Sequence, residues 1–150
     1  MLADLKNRQL IRHLSVSNVT SNQLIEAQKI TNIVCVQNFY NVANRNEDEF
    51  IDQLARQDIP YVSFFPLGGF TALQSSVRGA AAASLQATPM QIALAWLLKR
   101  SSNTLLIPGT SSVAHLRENL AAATMELSSD AITQMDGIAG GSSAANLAAH

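Results

Sequence analysis

One cysteine, one tryptophan and two tyrosines are all that this chain of 150 residues has of those types. A lone thiol, Cys35, excludes an internal disulfide and a cysteine-rich zinc site and fits a reducing compartment, so a cytoplasmic protein is expected. Charge is also scarce: charged residues make up 14% and the net charge is −1. The basic excess that favours nucleic acid or anionic membranes is therefore absent. No apolar run approaches the roughly 20 residues of a membrane span. The opening Met1-Leu-Ala-Asp-Leu-Lys-Asn-Arg8 lacks the order of a signal peptide. Neither export, membrane insertion nor nucleic-acid binding is expected. What remains is the composition of an ordinary globular protein, 47% apolar, long enough for one domain with a real core.

The stretch from Leu105 to Asn119 organises the rest. Leu105, Leu106 and Ile107 form a short apolar run, Pro108 stops it, and Gly109 is expected to permit backbone angles that other residues resist. Thr110, Ser111 and Ser112 then offer hydroxyls and backbone N–H groups where a helix begins. A helix start carries unpaired N–H donors and roughly half a positive charge, so this is an anion site in outline. Three small polar residues that merely cap a helix would look the same on this stretch alone.

Taken in order, the chain opens with the tail of a helix over Ala3–Arg8 and a strand over Leu10–Ser17. Thr20-Ser-Asn-Gln23 has the capping-box pattern and opens a helix through Leu24, Ile25, Ala27, Gln28 and Ile30. Ile33–Gln37, rich in β-branched residues, reads as a second strand. Asn44, with Glu47 three residues on, is expected to cap a helix whose apolar stripe is Phe50, Ile51, Leu54 and Ala55. Ile59–Phe65 is the third strand, ended by Pro66-Leu-Gly-Gly69, with Phe70–Ser76 as loop. A small-residue helix is expected from about Val77 to Gln86. Thr88-Pro-Met-Gln91 opens the next, from Ile92 to Arg100. The Leu105 strand follows, then a helix carrying Val113, Leu116 and Leu120, and a last helix from Ser128 to about Ile138. Residues 139–150 read as a flexible tail beyond a domain over 1–138. Strands joined by helical crossovers run parallel, and apolar runs of this kind suit strands covered on both faces, so the class is α/β. An open doubly wound sheet and half of a closed barrel both satisfy that order.

Four motifs then occur in sequence that resemble those of the aldo-keto reductases, over nearly the whole chain. Ser15-Val-Ser-Asn18 resembles that family's G-V-S-N, and Val36-Gln-Asn38 its V-Q-N. Phe64-Phe-Pro-Leu-Gly68 resembles its Y-S-P-L-G. Ile107-Pro-Gly-Thr110 with Leu116-Arg-Glu-Asn119 resembles its last cofactor motif. The resemblance is to the family's C-terminal half. It implies strands five to eight of a TIM (β/α)8 barrel, four parallel strand–helix units plus an extra C-terminal helix, with the motifs on the rim where barrel active sites sit. It also implies an NAD(P)H-dependent oxidoreductase acting on small-molecule aldehydes or ketones, with NADP, or else NAD, as cofactor.

By the same resemblance, Ser17, Asn18 and Gln37 would hold the nicotinamide carboxamide, which needs both donors and acceptors. Asn18 and Gln37 could instead simply satisfy backbone groups at strand ends. Phe64 stands where a ring stacks on nicotinamide, with core packing as the alternative, one that suits Phe65 better. Pro66, Leu67 and Gly68 would line the pyrophosphate crossing. Gly109, Thr110, Ser111, His115, Arg117, Glu118 and Asn119 would take the adenosine end, although Arg117 could equally be a solvated helix charge. Gly109 and His115 stand where many members carry a lysine and an arginine for the 2′-phosphate, and Ser15 replaces a glycine. The family's acid tyrosine, with its aspartate, lysine and histidine, belongs to strands ahead of residue 1. Tyr40 and Tyr61 sit in no such motif, and His13 reads as a packed or edge residue. No catalytic residue and no metal ligand is assigned, so the chain is expected to carry the cofactor half of the chemistry. A non-catalytic dinucleotide-binding module, or a structural half-barrel completed by another chain, remain the alternatives. Free edges around Ile11–Ser17 and Leu105–Ile107 would favour a homodimer, aggregation or association with an N-terminal half-barrel.

Overall fold

Parallel pairing follows from the alternation of short strands with helices, because parallel neighbours need a crossover long enough to return the chain to the same end of the sheet. The computed structural model describes residues 1–68 and 87–147, and the side chains of 1–68 and 87–138. The elements are α1 (Leu2–Asn7), β1 (Leu14–Ser17), α2 (Ser21–Ile30), β2 (Ile33–Phe39), α3 (Asp48–Ala55) and β3 (Tyr61–Phe64). They continue with α4 (Pro89–Arg100), β4 (Thr104–Leu106), α5 (Val113–Ala121), a short 3-10 turn (Ala122–Thr124) and α6 (Ser129–Leu147). The four strands form one sheet in the order β1-β2-β3-β4, every pairing parallel. The loop expected over Phe70–Ser76 and the helix over Val77–Gln86 lie outside the described residues.

Several boundaries differ from expectation, each for a local reason. β1 begins at Leu14 rather than Leu10. Gln9 takes a positive φ of 60°, and the amide of Leu10 returns to the carbonyl of Leu5 at 3.0 Å, so the first residues of that run close off α1. Asn44 caps nothing. The Oδ1 of Asn41 accepts from the amides of Ala43 and Asn44, and α3 starts later, behind Glu47, with no side-chain cap. β3 stops at Phe64 because Phe65 turns to φ 51°. The last helix runs on to Leu147, past Ile138. Both capping boxes, Thr20 with Gln23 and Thr88 with Gln91, form as the pattern predicts.

Registered rows show which face of the sheet is buried. Val16, Val36, Tyr61 and Thr104 align across all four strands. The last three are buried, in a core completed by Leu24, Ile51, Leu54, Trp96 and Met135 from the helices. α4 is apolar nearly all round and buries six consecutive residues, Ile92–Leu97. The next row, Ser17, Gln37, Val62 and Leu105, lies on the opposite face. Ser17 and Leu105 are exposed there, Leu105 at 54%, while Gln37 and Val62 are half-buried. Among the described residues, the cover expected on both faces is therefore only partial for this row. The apolar stripe of α5, Val113, Leu116 and Leu120, is 67%, 48% and 66% exposed. Among the described residues no helix is long and apolar enough to cross a membrane.

Tyr61 is fully buried, and its hydroxyl finds no hydrogen-bond partner among the described residues. Deleting an unmet buried hydroxyl removes a desolvation cost, so Tyr61→Phe is expected to raise stability by about 1 kcal/mol in urea titration. Leu54→Ala, which opens a cavity in the same core, should cost about 2–5 kcal/mol. Burial also pushes the phenols of Tyr40 and Tyr61 well above the ordinary tyrosine value. The folded state keeps protons that the unfolded chain releases above about pH 10, so stability is complete below that pH and falls as pH rises beyond it. Tyr61→Phe should blunt that alkaline loss. A destabilised Tyr61→Phe with an unchanged alkaline limb contradicts this reading.

Candidate functional site

Three strand exits and one helix start bring the sequence-predicted residues to the same end of the sheet. Ser17 ends β1 and is in register with Gln37 of β2. Asn18 leaves the strand at φ 53°, with its amide donating to the carbonyl of Gln37 at 3.0 Å. Phe64 ends β3 and stacks on Phe39, ring centroids 5.8 Å apart at 26°. Phe65 meets both rings edge-on and is 50% exposed. Core packing, the alternative that suited Phe65 better than Phe64, is thus not what Phe65 does, since its left-handed φ swings the ring out of the alternation that β3 would otherwise impose.

The turn after β3 is tight. The amide of Gly68 donates to the carbonyl of Phe65 at 2.9 Å, and Gly68 has φ 84°, a region unfavourable for any residue with a Cβ. Gly109 is different: its φ is not positive, and a Cβ built there meets nothing within 4 Å. The backbone freedom expected at Gly109 is thus needed at Gly68 instead. After β4, Thr110 Oγ1 accepts from the amide of Ser112 at 3.1 Å. Ser112 is the N-cap of α5, its Oγ accepting from the amide of His115 at 3.4 Å. Gln91 of α4 donates to the carbonyl of Glu118 at 3.3 Å, tying α5 to the start of α4.

A cavity of about 650 Å³ opens between the exits of β3 and β4. Phe64, Pro66 and Leu67 line it on one side, and Gly109, Thr110, His115, Glu118 and Asn119 on the other. Ser17, Asn18, Gln37, Gly68, Ser111 and Arg117 are not among its walls. Ser17 and Gln37 sit across the open face from it, two strands and one strand from β3. Sequence reasoning missed Thr88 and Met90, which line the cavity from the start of α4, and also Phe65, Ile107 and Pro108. The capping box at Thr88 signalled a helix start but not that this start faces the rim. Among the described residues, His115 and Glu118 are the only ionisable side chains in the lining. Among the described residues no cluster of three histidine, cysteine, aspartate or glutamate side chains could hold a metal.

Both tyrosines lie elsewhere. Tyr40 and Tyr61 meet edge-on at 6.0 Å on the helix-covered face, and Tyr40 stacks on Trp96 of α4. The Tyr40 hydroxyl donates to Asp48 at 2.5 Å. His13 is exposed ahead of β1.

The sequence model of the Aldo/keto reductase family matches residues 1–139. Pyridoxine 4-dehydrogenase of Escherichia coli (strain K12) is 60% identical over 138 residues, covering 92% of this chain and 48% of that protein. An uncharacterized oxidoreductase of Schizosaccharomyces pombe (strain 972 / ATCC 24843) is 37% identical over 136 residues, 90% of this chain and 44% of its own. Among solved structures, a thermostable aldo-keto reductase in complex with the inhibitor epalrestat superposes with a TM-score of 0.80 at 30% identity, covering 91% of this chain and 52% of that one. An aldo/keto reductase from Klebsiella pneumoniae solved with NADP and acetate gives a TM-score of 0.76 at 24% identity, covering 89% and 50%. The chain spans about half the length of the curated relatives it matches.

The open space at Gly109 gives a direct test of the geometry. Gly109→Lys is expected to change stability by no more than about 0.5 kcal/mol, as for an unobstructed surface position. It would also set a cation at the edge of a cavity whose described lining residues include neither lysine nor arginine. A loss above about 1.5 kcal/mol in thermal unfolding would show that the β4 exit is more crowded than this.

Proposed function

Because the chain belongs to the aldo/keto reductase family, we propose that it forms the dinucleotide-binding side of an NAD(P)H-dependent oxidoreductase that reduces aldehydes or ketones. The observation that carries this reading is the rim itself. Residues assigned to the two ends of one dinucleotide leave the sheet at the same end, with a cavity between the β3 and β4 exits. A volume of about 650 Å³ falls within the range of small-molecule and cofactor sites.

The residues present fit such a group. Gly68 supplies a backbone turn that only glycine adopts comfortably, and the first turn of α5 supplies unpaired N–H donors for a phosphate. In this assignment Ser17, Asn18 and Gln37 hold the carboxamide, Phe64 stacks on the nicotinamide ring, and Pro66, Leu67 and Gly68 line the pyrophosphate. Gly109, Thr110, Ser111, His115, Arg117, Glu118 and Asn119 take the adenosine end. A bound nicotinamide dinucleotide supplies the hydride. NADP is the cofactor proposed, with NAD as the competitor, since the described lining residues include neither lysine nor arginine.

Protonating the nascent alkoxide contributes about 100- to 10,000-fold, and neither Tyr40 nor Tyr61 is placed for it, since both are buried against the helices. We therefore assign the acid to a partner segment that also covers the sheet face and the edges of β1 and β4 that the described residues leave open. The 60% identical relative is a pyridoxine 4-dehydrogenase, which makes pyridoxine and its aldehyde the first substrates to try.

Isothermal titration of the purified chain should detect NADPH binding, with no turnover of pyridoxal or an aromatic aldehyde by the chain alone. Co-expression with the N-terminal half of the E. coli relative should restore turnover. Robust reduction by the chain by itself would refute the assignment of the acid to a partner, and no detectable binding of NADPH or NADH would refute the dinucleotide site.

A further inference from the structure

Two residues with side chains take left-handed backbone angles at the functional rim: Asn18 after β1, at φ 53°, and Phe65 after β3, at φ 51°. Such angles persist only where the surroundings over-determine them, and they gather at functional sites. Both flank β2, the strand between them. The exit of β2 carries two asparagines three residues apart, Asn38 and Asn41, and both are almost wholly buried, at 5% and 1% exposure.

Asn38 reaches toward β1. Its Oδ1 accepts from the Val19 amide at 3.1 Å and its Nδ2 donates to the Val19 carbonyl at 2.7 Å. The residue that follows Asn18 is thereby gripped at both of its backbone polar groups. The second hydrogen of Nδ2 goes to Glu47 Oε2 at 2.8 Å, and a carboxylate can only accept, so Glu47 settles which end of the amide faces which partner. Asn41 reaches the other way. Its Nδ2 donates to the Phe65 carbonyl at 3.3 Å, while its Oδ1 takes the amides of Ala43 and Asn44 and holds its own loop. Ser63 of β3 donates to the Tyr40 carbonyl, joining the same exit segment to β3 a second time. An apolar side chain of the same shape would fill either space but would leave these backbone groups unmet.

We propose that Asn38 and Asn41 are positioning residues, each clamping one left-handed turn of the rim: Asn38 the Ser17–Asn18 turn, Asn41 the Phe64–Gly68 turn. Neither touches the cavity. They act through the residues they hold, with β2 as the common frame and Glu47 orienting the first of the two amides. The ligand consequence rests on the dinucleotide reading above: Asn38 sets the nicotinamide end, whereas the adenosine end at α5 is independent of it.

Amide hydrogen exchange tests the clamps without any ligand. Asn38→Ala should speed exchange of the Val19 amide tenfold or more while leaving Gly68 unchanged, and Asn41→Ala should do the reverse. Loosening of both amides by both variants, or of neither by its own variant, would overturn the proposal. Should Asn38→Ala fail to fold, Glu47→Ala carries the test, with a smaller acceleration at Val19 and none at Gly68, and no acceleration at Val19 overturns the proposal. In titrations, Asn38→Ala should weaken NADPH about tenfold and 2′-phospho-ADP-ribose, which lacks nicotinamide, less than twofold. Equal effects on the two ligands would overturn the ligand assignment. If the wild-type chain binds neither, the dinucleotide reading falls and the exchange result still decides the clamps.

Discussion

Parallel pairing of consecutive strands is the constraint on which the rest of the molecule depends. Each crossover must bring the chain back to the same end of the sheet, so every strand exit faces one way, and loops that would otherwise scatter form one rim. The alternation of side chains then divides the two faces. One registered row, Val16, Val36, Tyr61 and Thr104, goes under the helices, and the adjacent row, Ser17, Gln37, Val62 and Leu105, faces away from them. A slip of one residue in any strand would exchange those rows. The row that carries two assigned cofactor residues would then be buried beneath α3 and α4.

On the helix-covered side, polar side chains fix the helices laterally where apolar packing alone would leave them free to slide. Asp48 accepts from Tyr40 and from Arg45, and lies 3.5 Å from Arg100 of α4. Asp136 of α6 accepts from Trp96 at 3.0 Å and meets Arg45, whose guanidinium also lies 5.0 Å from the Trp96 ring centroid. Arg100 donates to Asp52 at 2.8 Å and thereby lowers the Asp52 carboxyl below its ordinary value. The charged groups among these are only partly buried, so their contribution is to orientation more than to raw stability. The result is a β2–α3–α4–α6 frame that carries the exit of β2, and with it Asn38 and Asn41, in one place.

Much of the fold was legible in the residues because local signals agreed with the global arrangement. The capping boxes at Thr20 and Thr88, the β-branched run of β2 and the strand–helix order all formed as read. Several of the misses share a cause: turn geometry that depends on tertiary partners. Gln9, Asn18 and Phe65 hold positive φ although none is glycine, while Gly109 does not. Asn44 lies in a turn of its own ahead of α3, its amide donating to Asn41 Oδ1, and Asn41 in turn donates to the Phe65 carbonyl just past β3. Motifs marked the rim residues, but nothing local in Thr88 or Met90 indicated that α4 begins beside the β4 exit. The outward stripe of α5 and the open row on the sheet were hidden for a further reason. Periodicity shows that a face is apolar and does not show what covers it.

The central claim is that residues from β1, β2, β3 and α5 serve one dinucleotide. Titration of isotope-labelled protein with NADPH, followed by amide chemical shifts, tests it most directly. Shifts are expected at Ser17, Asn18 and Gln37 together with Gly68 and Thr110–Asn119, all saturating at one ligand concentration. Shifts confined to one of these groups, or scattered over the helix-covered face, would contradict it.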